Sequence, residues 1–163
     1  MEYKNEPFDF VARTKENLIS YCGPYKATFL LNSTIGLLFI AIEKYADELK
    51  KSSKAIPLEE WGLKPEKITI CKKKKNNLFI DEEKNAFVVG KHIRNSFAHG
   101  HFSQIVNPSN NRIVGFKICD YDPYPNQRVQ TFEADYKVKE LKDYLLFVAE
   151  FILCMNGPQP IRH

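Results

Sequence analysis

The sequence has little cysteine and no long apolar run. Its 4 cysteines lie far apart in a chain of 163 residues and form no CxxC pair, which argues against a dense disulfide framework. We expect reduced thiols, with Cys22 and Cys154 as small residues of the core. The most apolar stretch, residues 28–42, is shorter than the roughly 20 residues of a membrane-spanning helix and is interrupted by polar side chains. It predicts a buried core helix and no membrane partner.

Signals for export, repeats and strong charge are also missing. The N-terminus has no basic start followed by an apolar run, so we expect a cytoplasmic protein. The lysine run of residues 72–75 is expected to be a solvated turn rather than a phosphate contact. The net charge of +4 permits an anionic partner without requiring one. Hydrophobic residues make up 44% of the chain, which is enough for one folded domain over residues 1–163.

Apolar periodicity predicts four long helices, of which the second covers residues 25–50. Caps, glycines and prolines mark the ends of the others. The first helix ends at Gly23-Pro24. The third begins at Asp81 and ends at Gly100, and the fourth begins at Asp135 and ends at Gly157-Pro158. The fold class that follows is mainly α, a bundle of four long helices.

Two segments between these helices break the helical pattern. Residues 51–80 contain prolines, paired serines and paired asparagines, and we expect a long surface insertion with a short docked turn at Trp61. Residues 102–133 predict a β-hairpin, and RVQTF is compatible with a third short strand. We therefore expect a small β-hairpin insertion between the third and fourth helices.

The third predicted helix ends in an unusual set of polar residues, RNSFAHGH, residues 94–101. On an ideal helix, Arg94 and His99 project about 140° from each other, on either flank of a buried face. Two arrangements bring them together. Either the chain leaves helical geometry at Gly100, or a second copy of the helix packs against the first across a twofold axis.

An arginine and a histidine of this kind suit chemistry on a phosphodiester. Arg94 can bind the non-bridging oxygens in a bidentate manner, and His99 can exchange a proton near neutral pH. Such a pair can cleave RNA without a metal, because the 2′-hydroxyl of RNA is an internal nucleophile once a base removes its proton. DNA lacks this nucleophile.

The segment RNSFAHG resembles the Arg-x(4–6)-His signature of the HEPN superfamily, and the order of the predicted helices resembles plasmid- and phage-defence-associated HEPN groups. The resemblance implies a dimeric, metal-independent endoribonuclease with a composite site, which leaves a 2′,3′-cyclic phosphate. Arg94 is then the phosphate binder, Asn95 the polar residue that follows it, and His99 the proton-transfer residue. A toxin or phage-defence role is implied, with an antitoxin or regulatory protein as a possible partner. His101 stands where HEPN toxins with nucleotidyltransferase antitoxins carry tyrosine, so regulation through that tyrosine is not implied.

Other polar residues are weaker candidates. We expect Ser96 and His101 to contact substrate, and Asn32 either to face the site or to satisfy a helix end or a dimer contact. His92, His99 and His101 invite a metal-binding interpretation, but His92 and His99 are about 10 Å apart along a helix axis. No metal and no cofactor are therefore expected.

Three functions stay open on the sequence. The first is the RNA-cleaving HEPN endoribonuclease, and the second is a non-catalytic HEPN-like domain that binds RNA, a nucleotide or a protein. The third is a metal-dependent hydrolase built on the histidines.

Overall fold

The computed structural model describes residues 6–122 and 129–156. Three helices come first, followed by two strands, a fourth helix, three strands and a last helix. Their bounds are α1 Glu6–Ser20, α2 Lys26–Lys44, α3 Ala46–Ala55, a 3₁₀ turn at Pro65–Lys67, β1 Ile68–Lys75, β2 Leu78–Asp81, α4 Ala86–Ala98, β3 Phe102–Asn107, β4 Arg112–Tyr121, β5 Gln130–Lys137 and α5 Val138–Asn156.

The strands form one antiparallel sheet in the order β2-β1-β5-β4-β3. The prediction of a mainly α bundle with a small hairpin is therefore wrong, and the fold is mixed α/β. The predicted hairpin of β3 and β4 is present, and the last three residues of RVQTF, residues 130–132, begin the longer strand β5; Arg128 lies outside the described residues. What the prediction missed is the pairing of β1 with β5, which joins a distant part of the chain to the same sheet.

Residues 51–80, expected as an irregular insertion, supply two of the strands. The lysine run lies in β1, and the turn to β2 is Asn76-Asn77. Both asparagines have positive φ, 49° and 63°, as a tight hairpin turn with the twist of the flanking strands requires. The docked turn at Trp61 is confirmed: its ring is fully buried, 4.7 Å from the ring of Phe147 on α5.

The helices cover one face of the sheet. α4 and α5 pack on the strands, α2 packs behind both of them, and α1 packs on α2 and α5. Apolar residues of α4 at helical spacing bury against apolar residues of β4 at alternating spacing. Burial of this kind contributes about 25 cal/mol per Å² of apolar surface, and it fixes the face that α4 turns toward the sheet.

Several predicted helix boundaries are displaced. The second predicted helix is interrupted at Tyr45, which separates α2 from α3. The cap of α4 is Asn85, whose Oδ1 accepts a hydrogen bond from Val88 N at 3.0 Å, because β2 extends through Asp81. Likewise Asp135 belongs to β5 rather than to a cap. The predicted stop at Gly157-Pro158 lies outside the described residues.

Two cysteines lie elsewhere than predicted. Cys22 and Cys154 are exposed rather than buried, and Cys71 on β1 is the buried thiol. The apolar helix α2 is long and apolar enough by composition to span a membrane, yet its buried residues face the other helices. In this structure it is a core helix with one open face, on which Phe39 is 53% exposed.

Candidate functional site

The last turn of α4 closes in a well-defined helix stop. Gly100, at φ 69°, donates its N–H to Phe97 O at 3.3 Å, and His101 N donates to Ser96 O at 2.8 Å. This pair of bonds is the Schellman motif, which favours glycine at the left-handed position. The predicted helix end at Gly100 is thus confirmed. His99 comes before the left-handed residue and is the C-cap of α4, with a φ of −97° and its N–H donating to Asn95 O.

Arg94 turns toward α2. Its Nη2 lies 3.7 Å from Glu43 Oε1, and the side chain is 24% exposed. The Nε atom is buried and makes no hydrogen bond to any described residue. Because an exposed ion pair contributes about 0–1 kcal/mol, Glu43 holds the guanidinium only weakly. An anion that offers two oxygens can therefore compete for it.

Asn95 and His92 turn the other way, toward β4. Asn95 Nδ2 donates to Asp120 Oδ2 at 3.3 Å, and His92 Nδ1 lies 2.8 Å from the same oxygen. His92 also stacks on Phe132 at a ring distance of 4.9 Å, and its Nε2 is 3.8 Å from Glu82 Oε2. The predicted catalytic residue Asn95 is therefore held in place by a buried carboxylate.

His99 and His101 form a pair of imidazoles at the end of the helix. Their ring centroids are 5.8 Å apart, and His99 is exposed. The ring of His101 also packs edge-on against Tyr121 at 5.0 Å, and His101 O accepts a hydrogen bond from Cys119 N. The hairpin of β3 and β4 thus fixes the chain directly after the signature.

The structure does not bring Arg94 and His99 together within one chain by unwinding the helix. α4 is regular through Ala98 and His99 is its C-cap, so the separation of about 140° expected on an ideal helix is kept up to the helix end. Asn95 and His99 are four residues apart and lie on the side of α4 opposite to the flank of Arg94. The packing of a second copy against α4 stays a prediction.

Two further predicted substrate contacts lie in unexpected places. Ser96 is fully buried, and its hydroxyl donates to His92 O at 2.6 Å, so it faces the helix rather than solvent. Asn32 is exposed on α2, although its neighbours in the sequence are apolar. Within residues 6–122 and 129–156, neither side chain forms a hydrogen bond or an ion pair with Arg94 or His99.

The titratable groups near the site offer no thiol nucleophile. Burial raises the pKa of the Cys119 thiol, and burial followed by the charge of Glu82 raises the pKa of Cys71 to about 11. Both thiols are therefore protonated at neutral pH. Within the described ranges, no group of three His, Cys, Asp or Glu side chains has the arrangement of a metal site.

Sequence reasoning missed three carboxylates: Glu43, Glu82 and Asp120. Of these, only Asp120 could have been recognised from the sequence pattern. It follows Phe116 and Ile118 at alternating positions of β4, so an acidic residue occupies a position whose neighbours face the core. An ionised side chain on a buried face needs hydrogen-bond donors, and this one finds them on α4.

The family of the chain follows from a match that covers nearly all of its sequence. The family model HEPN pEK499 p136 matches residues 1–159. The chain belongs to this HEPN family. No curated protein and no solved structure matches it significantly. The match covers the sheet as well as the helices, so in this HEPN domain the strands belong to the matched region and the Arg94–His99 signature ends α4.

Proposed function

We propose that this HEPN domain is a metal-independent endoribonuclease in which Arg94 binds the scissile phosphate and His99 is the general base. The observation that carries the proposal is the placement of these two side chains. They border the open side of α4, whose exposed residues are Lys91, Ala98 and His99. Membership of a HEPN family supports the general class of function.

The reaction follows from the chemistry of the three groups. His99 removes the proton from a ribose 2′-hydroxyl, and the 2′-oxygen attacks the adjacent phosphorus. Arg94 stabilises the charge that develops on the non-bridging oxygens. The bond to the 5′-oxygen breaks, and that oxygen takes a proton from the second imidazole, His101, 5.8 Å from His99. The products are a 2′,3′-cyclic phosphate and a 5′-hydroxyl.

A homodimer supplies the geometry that one chain lacks. If α4 packs on its copy across a twofold axis, Arg94 of one protomer approaches the signature of the other. Ala98 permits close approach of the two helices because its side chain is small. Phe39 precedes Glu43 by one turn on the neighbouring α2 and is 53% exposed, which supplies apolar surface at the same end.

The biological setting that we propose is that of a toxin or phage-defence effector acting on RNA in the cytoplasm. An antitoxin or another regulatory protein is then the expected partner. The net charge of +4 supports an anionic substrate.

The test is cleavage of total RNA in EDTA by wild type, Arg94→Ala and His99→Ala, with equal folding verified by circular dichroism. We expect wild type to release fragments ending in 2′,3′-cyclic phosphate and either substitution to lower the rate at least ~100-fold. Arg112→Ala is the matched control, because it removes an exposed guanidinium from the start of β4, outside the proposed site. Equal cleavage by all four proteins would contradict the assignment.

The second candidate is a non-catalytic domain that binds RNA, a nucleotide or a protein. The separation of Arg94 and His99 on one α4 favours it if the protein is a monomer. Binding without cleavage by wild type, and unchanged binding by His99→Ala, would support this alternative.

A further inference from the structure

Asp120 is a buried carboxylate that the proposed reaction does not use. It is 5% exposed and lies at the end of β4. Its Oδ1 accepts the N–H of Tyr121 at 2.9 Å, and its Oδ2 is shared by Asn95 Nδ2 and His92 Nδ1. Three donors thus surround one carboxylate, which satisfies a charge that would otherwise be costly to bury.

The contact determines which way the Asn95 amide points. A carboxylate only accepts hydrogen bonds, so the amide nitrogen must face Asp120 and the amide oxygen must face away from it. Asn95 is one turn before His99, and its oxygen is therefore left as an acceptor on the side of α4 that carries His99. Without a fixed carboxylate, the two orientations of the amide would differ little in energy.

The same strand end also reaches the second imidazole. Tyr121, the residue after Asp120, packs its ring against His101 at 5.0 Å. The hydrogen bond from the Tyr121 backbone to Asp120 ties the two residues together. The end of β4 thus contacts the signature twice, at Asn95 through the Asp120 carboxylate and at His101 through the Tyr121 ring.

We infer that Asp120 is a positioning residue for this site: it orients the Asn95 amide beside His99, with His92 as its second side-chain donor. The inference rests on the proposed ribonuclease function. Asp120 touches no substrate, and it acts through Asn95. Loss of its charge should therefore lower kcat and leave KM nearly unchanged.

The experiment is a double-mutant cycle on RNA cleavage by the full chain, with Asp120→Asn and Asn95→Ala. We expect Asp120→Asn to lower kcat roughly 10-fold in the wild-type background, because small displacements of catalytic groups have effects of this size. In the Asn95→Ala background the same substitution should change kcat less than ~2-fold, since its partner is absent. Asn95→Ser is a milder second background.

If the role of Asp120 were purely structural, Asp120→Asn would lower stability without a specific effect on kcat. Glu140→Gln is the matched control, because Glu140 is also a hydrogen-bonded carboxylate with a small exposed fraction, but it lies on α5. It should lower stability without lowering kcat. His92→Phe keeps the stack on Phe132 and removes one donor, and it serves as the probe if Asp120→Asn does not fold.

The outcomes separate the two proposals. Coupled losses at Asp120 and Asn95 support the inference. Equal losses in both backgrounds, or full activity in both Asp120→Asn and His92→Phe, overturn it while the ribonuclease function stands. No cleavage by wild type overturns both.

Discussion

Arg94 Nη2 lies 3.7 Å from Glu43 Oε1, which directs Arg94 toward α2 and away from the side of α4 that carries His99. The two halves of the signature therefore occupy different flanks of one helix. In the proposed ribonuclease, a single copy would therefore present the phosphate-binding residue and the proton-transfer residue on separate flanks. Under that proposal Glu43 competes with the substrate phosphate for the same guanidinium.

Removing that competitor should tighten RNA binding. We expect Glu43→Gln, in the His99→Ala background that prevents cleavage, to lower Kd by about 2- to 5-fold, the range that corresponds to an exposed ion pair. Fluorescence anisotropy with a labelled single-stranded RNA measures the change. Glu48→Gln removes the same charge from an exposed position on α3 and should have a smaller effect. Equal effects of the two substitutions would show that only the net charge matters.

The helix stop at Gly100 should affect both stability and activity. A Cβ at Gly100 meets no atom within 4 Å, so the cost of Gly100→Ala comes from its φ of 69° alone. We expect a loss of about 1 kcal/mol in the free energy of unfolding, measured with urea, and slower cleavage because His99 and His101 flank the turn. Gly100→Asn should lose less, because asparagine adopts this conformation more readily. A larger loss for asparagine than for alanine would contradict the argument.

The start of α5 should give a pH-dependent contribution to stability. Burial alone would raise the pKa of Glu140, but the hydrogen bonds from Lys67 Nζ and from Lys137 N outweigh it and lower the pKa. A lowered pKa stabilises the fold above the unfolded value, and the stabilisation disappears as the pH falls through the folded value.

Glu140→Gln should therefore reduce the free energy of unfolding by roughly 1–2 kcal/mol at pH 7, and the difference from wild type should shrink below about pH 4. Urea unfolding at several pH values measures it. Glu60→Gln, at an exposed position, is the control and should show no such dependence. A difference that is constant with pH would assign the effect to packing instead.

The proposed dimer predicts a role for the exposed ring on α2. Phe39→Glu should place a charge in the interface, shift the protein toward monomer in light scattering, and reduce RNA cleavage in parallel. Tyr25→Glu changes another exposed aromatic residue, at the start of α2, and should alter neither property. Loss of cleavage in a variant that remains dimeric would argue against this interface.

Those features of the site that depend on neighbouring residues in the sequence could be predicted. Gly100 as a helix stop, the hairpin after it and the clustering of polar residues at residues 94–101 all follow from spacing and turn chemistry. The position of Arg94 and His99 on different flanks of one helix also follows from helical geometry.

The sheet could not be predicted in the same way, because its strands pair with residues that are far apart in the sequence. In β1 the apolar residues Ile68 and Cys71 are followed by lysines, which favour solvent and suggest a loop. The lysines lie at the exposed end of the strand and pair with β2, whereas the part of β1 before them pairs with β5, more than sixty residues later. The carboxylates of the site were missed for the same reason, since Asp120 and Glu43 reach α4 only through tertiary packing.

The central claim is that Arg94 and His99 of different protomers act on one phosphodiester. The most direct test mixes the inactive Arg94→Ala and His99→Ala proteins under conditions that exchange subunits, and then measures RNA cleavage in EDTA. Each mixed dimer then has one site with both residues intact, so equal mixing should restore about a quarter of the wild-type activity. No recovery, with subunit exchange confirmed, would contradict the claim, because a site built within one chain cannot be complemented.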